Sequence, residues 1–115
     1  MTMSKLGAGD GSSNTLMIAE KRWPYLSSNY YWDDNEGYAQ GWDDDWVRLT
    51  NIPPLPDYPF VDDGQLHFGS RHPGGFLASF CDGRVVMINF NISVATFQNL
   101  GNWQDGQPID WSSFQ

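Results

Sequence analysis

Two short apolar runs separated by Asp82-Gly83 constrain the fold more than any other feature of the chain. The runs cover residues 76–81 and 84–90 and are rich in β-branched and aromatic side chains. An Asp-Gly pair between such runs favours a tight β-hairpin, because both residues tolerate a positive φ. The sequence therefore predicts an antiparallel pair of strands in the C-terminal half.

A short helix is predicted directly after this hairpin. Ser93 is a residue type that caps first turns, and Gly101 is one that ends helices. Between them, Val94, Phe97 and Leu100 recur every three positions, which places them on one helical face. We therefore expect a helix from Val94 to Leu100.

A further strand is expected near the N-terminus, at residues 15–21, where the apolar residues do not alternate with polar ones. Continuous apolarity of this kind indicates burial on both faces of a strand. The 115 residues suffice for one domain, and the many Gly and Pro residues favour short elements joined by turns. We expect a single α+β domain over residues 1–115, mostly β, with an antiparallel sheet of short strands and a short C-terminal helix.

Charge limits the partners that such a domain can have. The net charge is −8, so nucleic-acid backbones and anionic membrane surfaces are repelled. No apolar stretch approaches the roughly 20 residues that a bilayer requires, so the chain does not insert directly into a membrane. Cys81 is the only cysteine, which excludes an internal disulfide, and we interpret it as a small buried hydrophobe. Cations, neutral sugars and protein surfaces remain as partners.

Carboxylates cluster in the first half of the chain, where six of the fourteen acidic residues lie within residues 33–45. Adjacent carboxylates repel each other, so the folded state has to hydrate or neutralise them. Calcium suits such a cluster, because it accepts about six to eight oxygen ligands in a flexible geometry. The alternative is a solvated acidic loop, since the EF-hand pattern is missing. The candidate calcium ligands are Asp33, Asp34, Asn35, Asp43, Asp44 and Asp45.

Aromatic side chains crowd the same region. Most are expected to form the core of a domain that is short of aliphatic residues. Exposed members would either stack on sugar rings or form a subunit interface, where Trp and Tyr are favoured. The candidates for this role are Trp23, Tyr31, Trp32, Trp42 and Trp46.

Catalytic motifs are weak. Ser70, His72 and Asp82 occur together, but no nucleophile-elbow pattern frames the serine. Two histidines and one cysteine also lack the spacing of a zinc site. We expect a structural role for His72, with a hydrogen bond across the hairpin to Asp82, and we expect no enzymatic activity.

One motif nevertheless resembles a known family. His72 is followed by nine residues and then by Asp82-Gly83, within the segment FGSRHPGGF that starts at Phe68. This resembles the prepilin-type processing-associated H-x9-DG family, a group of bacterial pilin-like surface proteins filed as a domain of unknown function. Three other segments are similar to that family in the same order: DGSSNTL at 10–16, GWDDD at 41–45, and LGN at 100–102 followed by DG at 105–106.

The resemblance implies export, surface exposure and a pilin-head-like fold, and it implies no catalytic activity. Members of the family usually begin with a leader and a long apolar stalk helix, so the present chain corresponds to the C-terminal head portion, without the stalk. We expect a structural subunit of an extracellular pilus-like or fibrous assembly that forms homo-oligomers or filaments. The alternative is a secreted carbohydrate- or solute-binding module. Asn91 begins an N-x-S tripeptide, a formal glycosylation site.

Overall fold

The fold is built on a three-stranded antiparallel sheet flanked by short helices. The computed structural model describes residues 2–26, 37, 41–59 and 66–115. The elements in chain order are α1 (Met3–Ala8), β1 (Leu16–Ala19), β2 (Gly75–Phe80), β3 (Val85–Asn89), α2 (Val94–Gly101) and a 3-10 helix (Trp111–Ser113). Within these ranges no helix is long and apolar enough to cross a membrane. The expected α+β class and the antiparallel sheet are confirmed, whereas α1 had no counterpart in the sequence analysis.

The hairpin between β2 and β3 forms where the Asp-Gly pair predicted it. The strands pair in register, with Leu77 opposite Met87 and Ser79 opposite Val85. Gly83 adopts a φ of 85°, which non-glycine residues rarely take, while Asp82 stays at negative φ. The Gly83 N–H donates to the Phe80 carbonyl at 2.9 Å. One left-handed residue is therefore enough, because the turn is a three-residue loop and not a two-residue loop.

The core lies on one face of this sheet, beneath α2. The Oγ of Ser93 accepts the Thr96 N–H at 3.1 Å, which confirms the expected cap. Phe97 of α2 packs its ring edge against the ring of Phe76 on β2, with centroids 5.8 Å apart. Such aromatic pairs contribute about 0.5–1.5 kcal/mol beyond the area that they bury. The buried apolar cluster comprises Phe76, Ala78, Phe80, Ile88, Ile92, Phe97, Leu100 and Phe114.

Strand β1 differs from its prediction, because it is an edge strand and is not buried on both faces. The sheet order β1-β2-β3 places it at one side, with a bulge between Leu16 and Ile18. Met17 is 56% exposed and Ile18 is 64% exposed. Apolar continuity indicated burial here, but among the described residues only the inner face of the sheet is covered.

The C-terminal tail packs on its own domain. Phe114 is buried in the core, and its carbonyl accepts the Asn89 N–H at the end of β3. The Asp10 carboxylate accepts the N–H groups of Asp105 and Gly106 at 3.1 and 2.7 Å. These contacts join residues near the start of the chain to residues near its end, so segments far apart in sequence close the domain together.

Candidate functional site: the outer face of the sheet

The histidine motif begins with a fixed turn before β2. The buried Ser70 hydroxyl donates to the Gly75 carbonyl at 2.6 Å and accepts the His72 N–H at 3.0 Å. Both roles of the Ser70 oxygen are therefore taken by backbone groups of the turn. A serine held in this way shapes the entry to the strand.

The partner of the His72 side chain is Glu20, which the sequence analysis did not identify. His72 Nε2 lies 3.1 Å from Glu20 Oε1, while Glu20 Oε2 accepts the Leu77 N–H at 2.8 Å. The backbone N–H of Glu20 also donates to the Leu77 carbonyl. The expected bond from His72 to Asp82 is replaced by this contact, because the histidine lies at the opposite end of β2 from Asp82. The pair ties the exit of β1 to the middle of β2.

The Asp82-Gly83 end of the motif is also structural. Asp82 Oδ1 accepts the Arg84 N–H at 2.9 Å. The Arg84 guanidinium lies 5.2 Å from the Phe80 ring centroid and 4.3 Å from that of Trp111. Cation–π contacts of this kind hold the turn against the C-terminal tail. His72 and Asp82-Gly83 thus bracket β2, and the nine intervening residues include the whole strand.

The candidate calcium ligands are only partly described, since Asp33, Asp34 and Asn35 lie outside the described residues. Asp43 Oδ1 accepts the Asp45 N–H at 2.9 Å, and the Asp45 carbonyl accepts from Lys21 Nζ. Within the described ranges, no three His, Cys, Asp or Glu side chains are grouped to hold a metal ion. Asp43, Asp44 and Asp45 therefore form a turn that is partly satisfied by its own backbone, and calcium binding stays a prediction.

The candidate ligand-binding aromatics occupy different environments. Trp42 is 68% exposed, whereas Trp46 is half-buried and donates its indole N–H to the Gly41 carbonyl. Trp23 is half-buried beside Lys21, whose Nζ lies 5.7 Å from the ring centroid. Tyr31 and Trp32 lie outside the described residues. Of the described candidates only Trp42 is exposed, although Tyr25 and Tyr58 are exposed as well.

Two tyrosines that the sequence analysis did not select carry arginine contacts near the histidine motif. The Arg71 guanidinium lies 4.1 Å from the ring centroid of Tyr25, and the Arg22 guanidinium lies 5.5 Å from that of Tyr58. Between them, Asp57 Oδ1 accepts the Trp23 N–H at 2.8 Å.

Burial dominates the electrostatics of Asp57. Desolvation raises the pKa of its carboxyl above the ordinary 3.8, although the bond from Trp23 and the charges of Arg71 and Arg22 act in the opposite direction. The guanidiniums of Arg71 and Arg22 therefore partly neutralise the charge of this partly desolvated carboxylate.

The outer face of the sheet is an apolar surface that these contacts leave uncovered in the described part of the chain. Cross-strand pairing places Ile18, Ser79 and Val85 in one row and Leu77 with Met87 in the next. The apolar members of both rows are exposed, as is Met17 at the bulge. A shallow groove of about 290 Å³ runs over Ile18, Leu77 and Val85. Contiguous apolar surface marks interaction sites on soluble proteins when it exceeds a few hundred Å².

Two smaller candidates lie at the ends of the hairpin. Asn91 is exposed in the turn after β3, where its N–H donates to Asn89 Oδ1 at 2.8 Å. Glycosylation at this asparagine stays a prediction. Cys81 is half-buried beside Asp82, and burial, together with the nearby carboxylate, raises the pKa of its thiol. A raised thiol pKa leaves less of the reactive thiolate near neutral pH.

Comparison with known proteins gives one match. The family model described as "SBP_bac_10: Protein of unknown function (DUF1559)" matches residues 8–94. This span contains the three strands, the histidine motif and the acidic segment. Searches of curated proteins and of solved structures gave no match.

Proposed function

Given that the chain belongs to the DUF1559 family of proteins of unknown function, we propose that it is a non-catalytic structural subunit of an extracellular pilus-like or fibrous surface assembly. Its H-x9-DG motif, from His72 to Asp82-Gly83, supports assigning it more finely to the pilin-like surface proteins of that name. Copies of the same chain are the partners in this proposal.

The observation that carries the proposal is the uncovered apolar face of the sheet. Aliphatic and Met side chains are worth about 1.5–3 kcal/mol each on full burial, at about 25 cal/mol per Å². Each of the five side chains on this face therefore represents roughly 60–120 Å² when fully exposed. Because they are about half exposed, the face offers on the order of 150–300 Å² of apolar area.

That area is no larger than the largest apolar patch of an ordinary monomer, so the proposal requires several contacts per subunit. A stable pairwise interface buries about 800 Å² on each partner, which is well above what this face supplies. Association also costs about 4–15 kcal/mol of translational and rotational freedom. A subunit that uses the sheet face together with other surfaces overcomes this cost, since multiple weak contacts add within a fibre.

Electron microscopy of the native surface material, at a resolution that shows side chains, tests the proposal. Regular filaments with the sheet face at a subunit contact are the expected result. Isolated heads with the sheet face open to solvent in that material would refute it.

A second candidate function, carbohydrate or solute binding, is favoured by the exposed indole of Trp42. Aromatic rings beside carboxylates stack on sugar faces while the acids accept hydroxyl hydrogen bonds, and Asp43 and Asp44 follow Trp42 directly. Quenching of tryptophan fluorescence by a panel of sugars, lost in Trp42→Ala and retained in Trp23→Phe, is the expected result. A panel without any quenching would remove this candidate.

A further inference from the structure

Within the described part of the chain, strand β3 presents an open backbone edge at Val85 and Met87. Residues of an antiparallel strand direct their N–H and C=O groups alternately to one side and then to the other. The Arg84 carbonyl bonds to Phe80 and the Phe90 N–H bonds to Gly74, so residues of even number face β2. Val85 and Met87 therefore direct their backbone groups away from the sheet. No described group bonds to them there, whereas the next residue on that side, Asn89, is taken by the Phe114 carbonyl.

In the described part of the chain, the opposite edge of the sheet is protected by two features, whereas the β3 edge is covered only at Asn89. Strand β1 carries a bulge between Leu16 and Ile18. Beyond its end the chain pairs onward with residues 67–69, through Gly69 N–H to the Glu20 carbonyl and Arg22 N–H to the His67 carbonyl. Proteins block exposed edges with bulges, prolines, charges or covering loops. The sequence of β3, VVMIN, contains no charge and no proline, and its pairing with β2 is continuous.

From this contrast we infer that β3 pairs antiparallel with β3 of a second copy of the chain. One register uses all the open groups of Val85 and Met87: Val85 lies opposite Met87 of the second copy and Val86 lies opposite its own counterpart. This register makes four backbone hydrogen bonds around a two-fold axis perpendicular to the sheet. The result is a six-stranded sheet whose two apolar outer faces are continuous.

Charge does not oppose a second copy at this edge. Two chains that each carry a net charge of −8 repel each other, unless their contact avoids the acidic surfaces. In the stated register Arg84 lies opposite Ile88 of the second copy, and the pairing ends there because the Phe114 carbonyl occupies the outer side of Asn89. No like charges face each other across the contact. The strand is thus complementary to itself in hydrogen bonding and apolarity, and it brings no like charges together.

This pairing deepens the proposed assembly role and rests on it, and it is tested on the purified chain. Sedimentation at increasing concentration is expected to show the mass rising from 13.0 kDa towards twice that value. Val85→Lys, which adds a charge at the open edge, should weaken the association at least tenfold. Ile18→Lys is the matched control, since Ile18 is 64% exposed and Val85 is 60% exposed on the same outer face. It should leave the association within about twofold.

Thermal unfolding of both variants shows whether each one folds. If Val85→Lys does not fold, Met87→Lys provides a second variant of the β3 edge. A chain that stays monomeric at all concentrations would overturn the inference. Equal weakening of the association by Ile18→Lys would also overturn the inference, because the contact would then lie on the outer face of the sheet. Capture of a foreign extended peptide by a monomeric chain would overturn the choice of partner.

A cross-link tests the register. In the stated pairing the two Val86 Cα atoms lie about 4.5 Å apart, since this pair is not hydrogen-bonded. That distance is within the roughly 4.4–6.8 Å that a disulfide requires. Val86→Cys in a Cys81→Ser background should form a covalent dimer on oxidation, and Leu77→Cys in the central strand should not. A covalent dimer without filaments in the native material would support this pairing and overturn the assembly role. Filaments from a chain that forms no cross-link would support the assembly role and overturn this pairing.

Discussion

Replacement of Phe114 by alanine is expected to destabilise the whole domain, although this residue is next to the C-terminus. Its side chain is 2% exposed and packs in the core cluster, with its ring centroid 5.4 Å from that of Trp111. Removing a buried Phe costs about 3–5 kcal/mol, which includes the cavity that is left. A domain of this size loses roughly 4 °C of melting temperature per kcal/mol, so the expected decrease in Tm is about 12–20 °C.

Urea and thermal unfolding of Phe114→Ala against the wild type measure this loss. Ser113→Ala is the matched control, because Ser113 is exposed in the same 3-10 helix and should change the free energy of unfolding by no more than about 0.5 kcal/mol. The hydrogen bond from Asn89 to the carbonyl of residue 114 is available in both variants. A loss below about 1 kcal/mol for Phe114→Ala would refute the assignment of the tail to the core.

Three further predictions concern the polar contacts. Glu20→Ala should lower the free energy of unfolding by about 1.5–2 kcal/mol and His72→Ala by about 0.5 kcal/mol. The reason is that Glu20 also accepts the Leu77 N–H, while the exposed ion pair contributes little. A double-mutant cycle measures the coupling of the two residues, and equal losses for the two variants would contradict this account. The raised pKa of Asp57 means that the folded state holds this proton more tightly than the unfolded state. Its contribution to stability is therefore present below pH 3.8 and is lost as the pH rises through the folded pKa. In denaturant titrations, Asp57→Asn should therefore gain stability relative to the wild type between pH 3 and pH 7. A difference in stability that stays constant with pH would contradict the sign of the pKa shift. If the acidic segment 33–45 holds calcium, calcium at 100 times its Kd should add about 2.7 kcal/mol of stability that EDTA reverses, and an unchanged Tm at millimolar calcium would remove this prediction.

Local chemistry made the C-terminal half predictable. The Asp82-Gly83 turn and the Ser93 cap depend on φ angles and hydrogen bonds within a few residues, so the sequence window contains all the atoms involved. The structure places the hairpin and the start of α2 where those residues indicated, whereas α2 includes Gly101 and has Asn102 as its C-cap. The buried face of α2 follows for the same reason, since Phe97 and Leu100 recur at helical spacing.

Contacts between distant segments were not predictable in the same way. The apolar run at β1 looked the same whether one face or both would be covered, because coverage depends on which elements pack over the sheet. Glu20 lies 52 residues from His72, and no local pattern marks it as the partner. A carboxylate directly after an apolar strand was the only available signal, and it is common at strand ends.

The distance between His72 and Asp82-Gly83 limits which insertions and deletions the motif can accept. Because the motif brackets β2, one residue added or removed within it would exchange the side chains of the two faces of the strand, and Phe76 and Phe80 would point to solvent. A change of two residues would preserve the facing but would alter the strand length by about 6.6 Å, which would break either the turn at Ser70 or the Glu20 contact. The nine-residue spacing of the motif is therefore fixed by the length of one strand and by the turns that hold its ends.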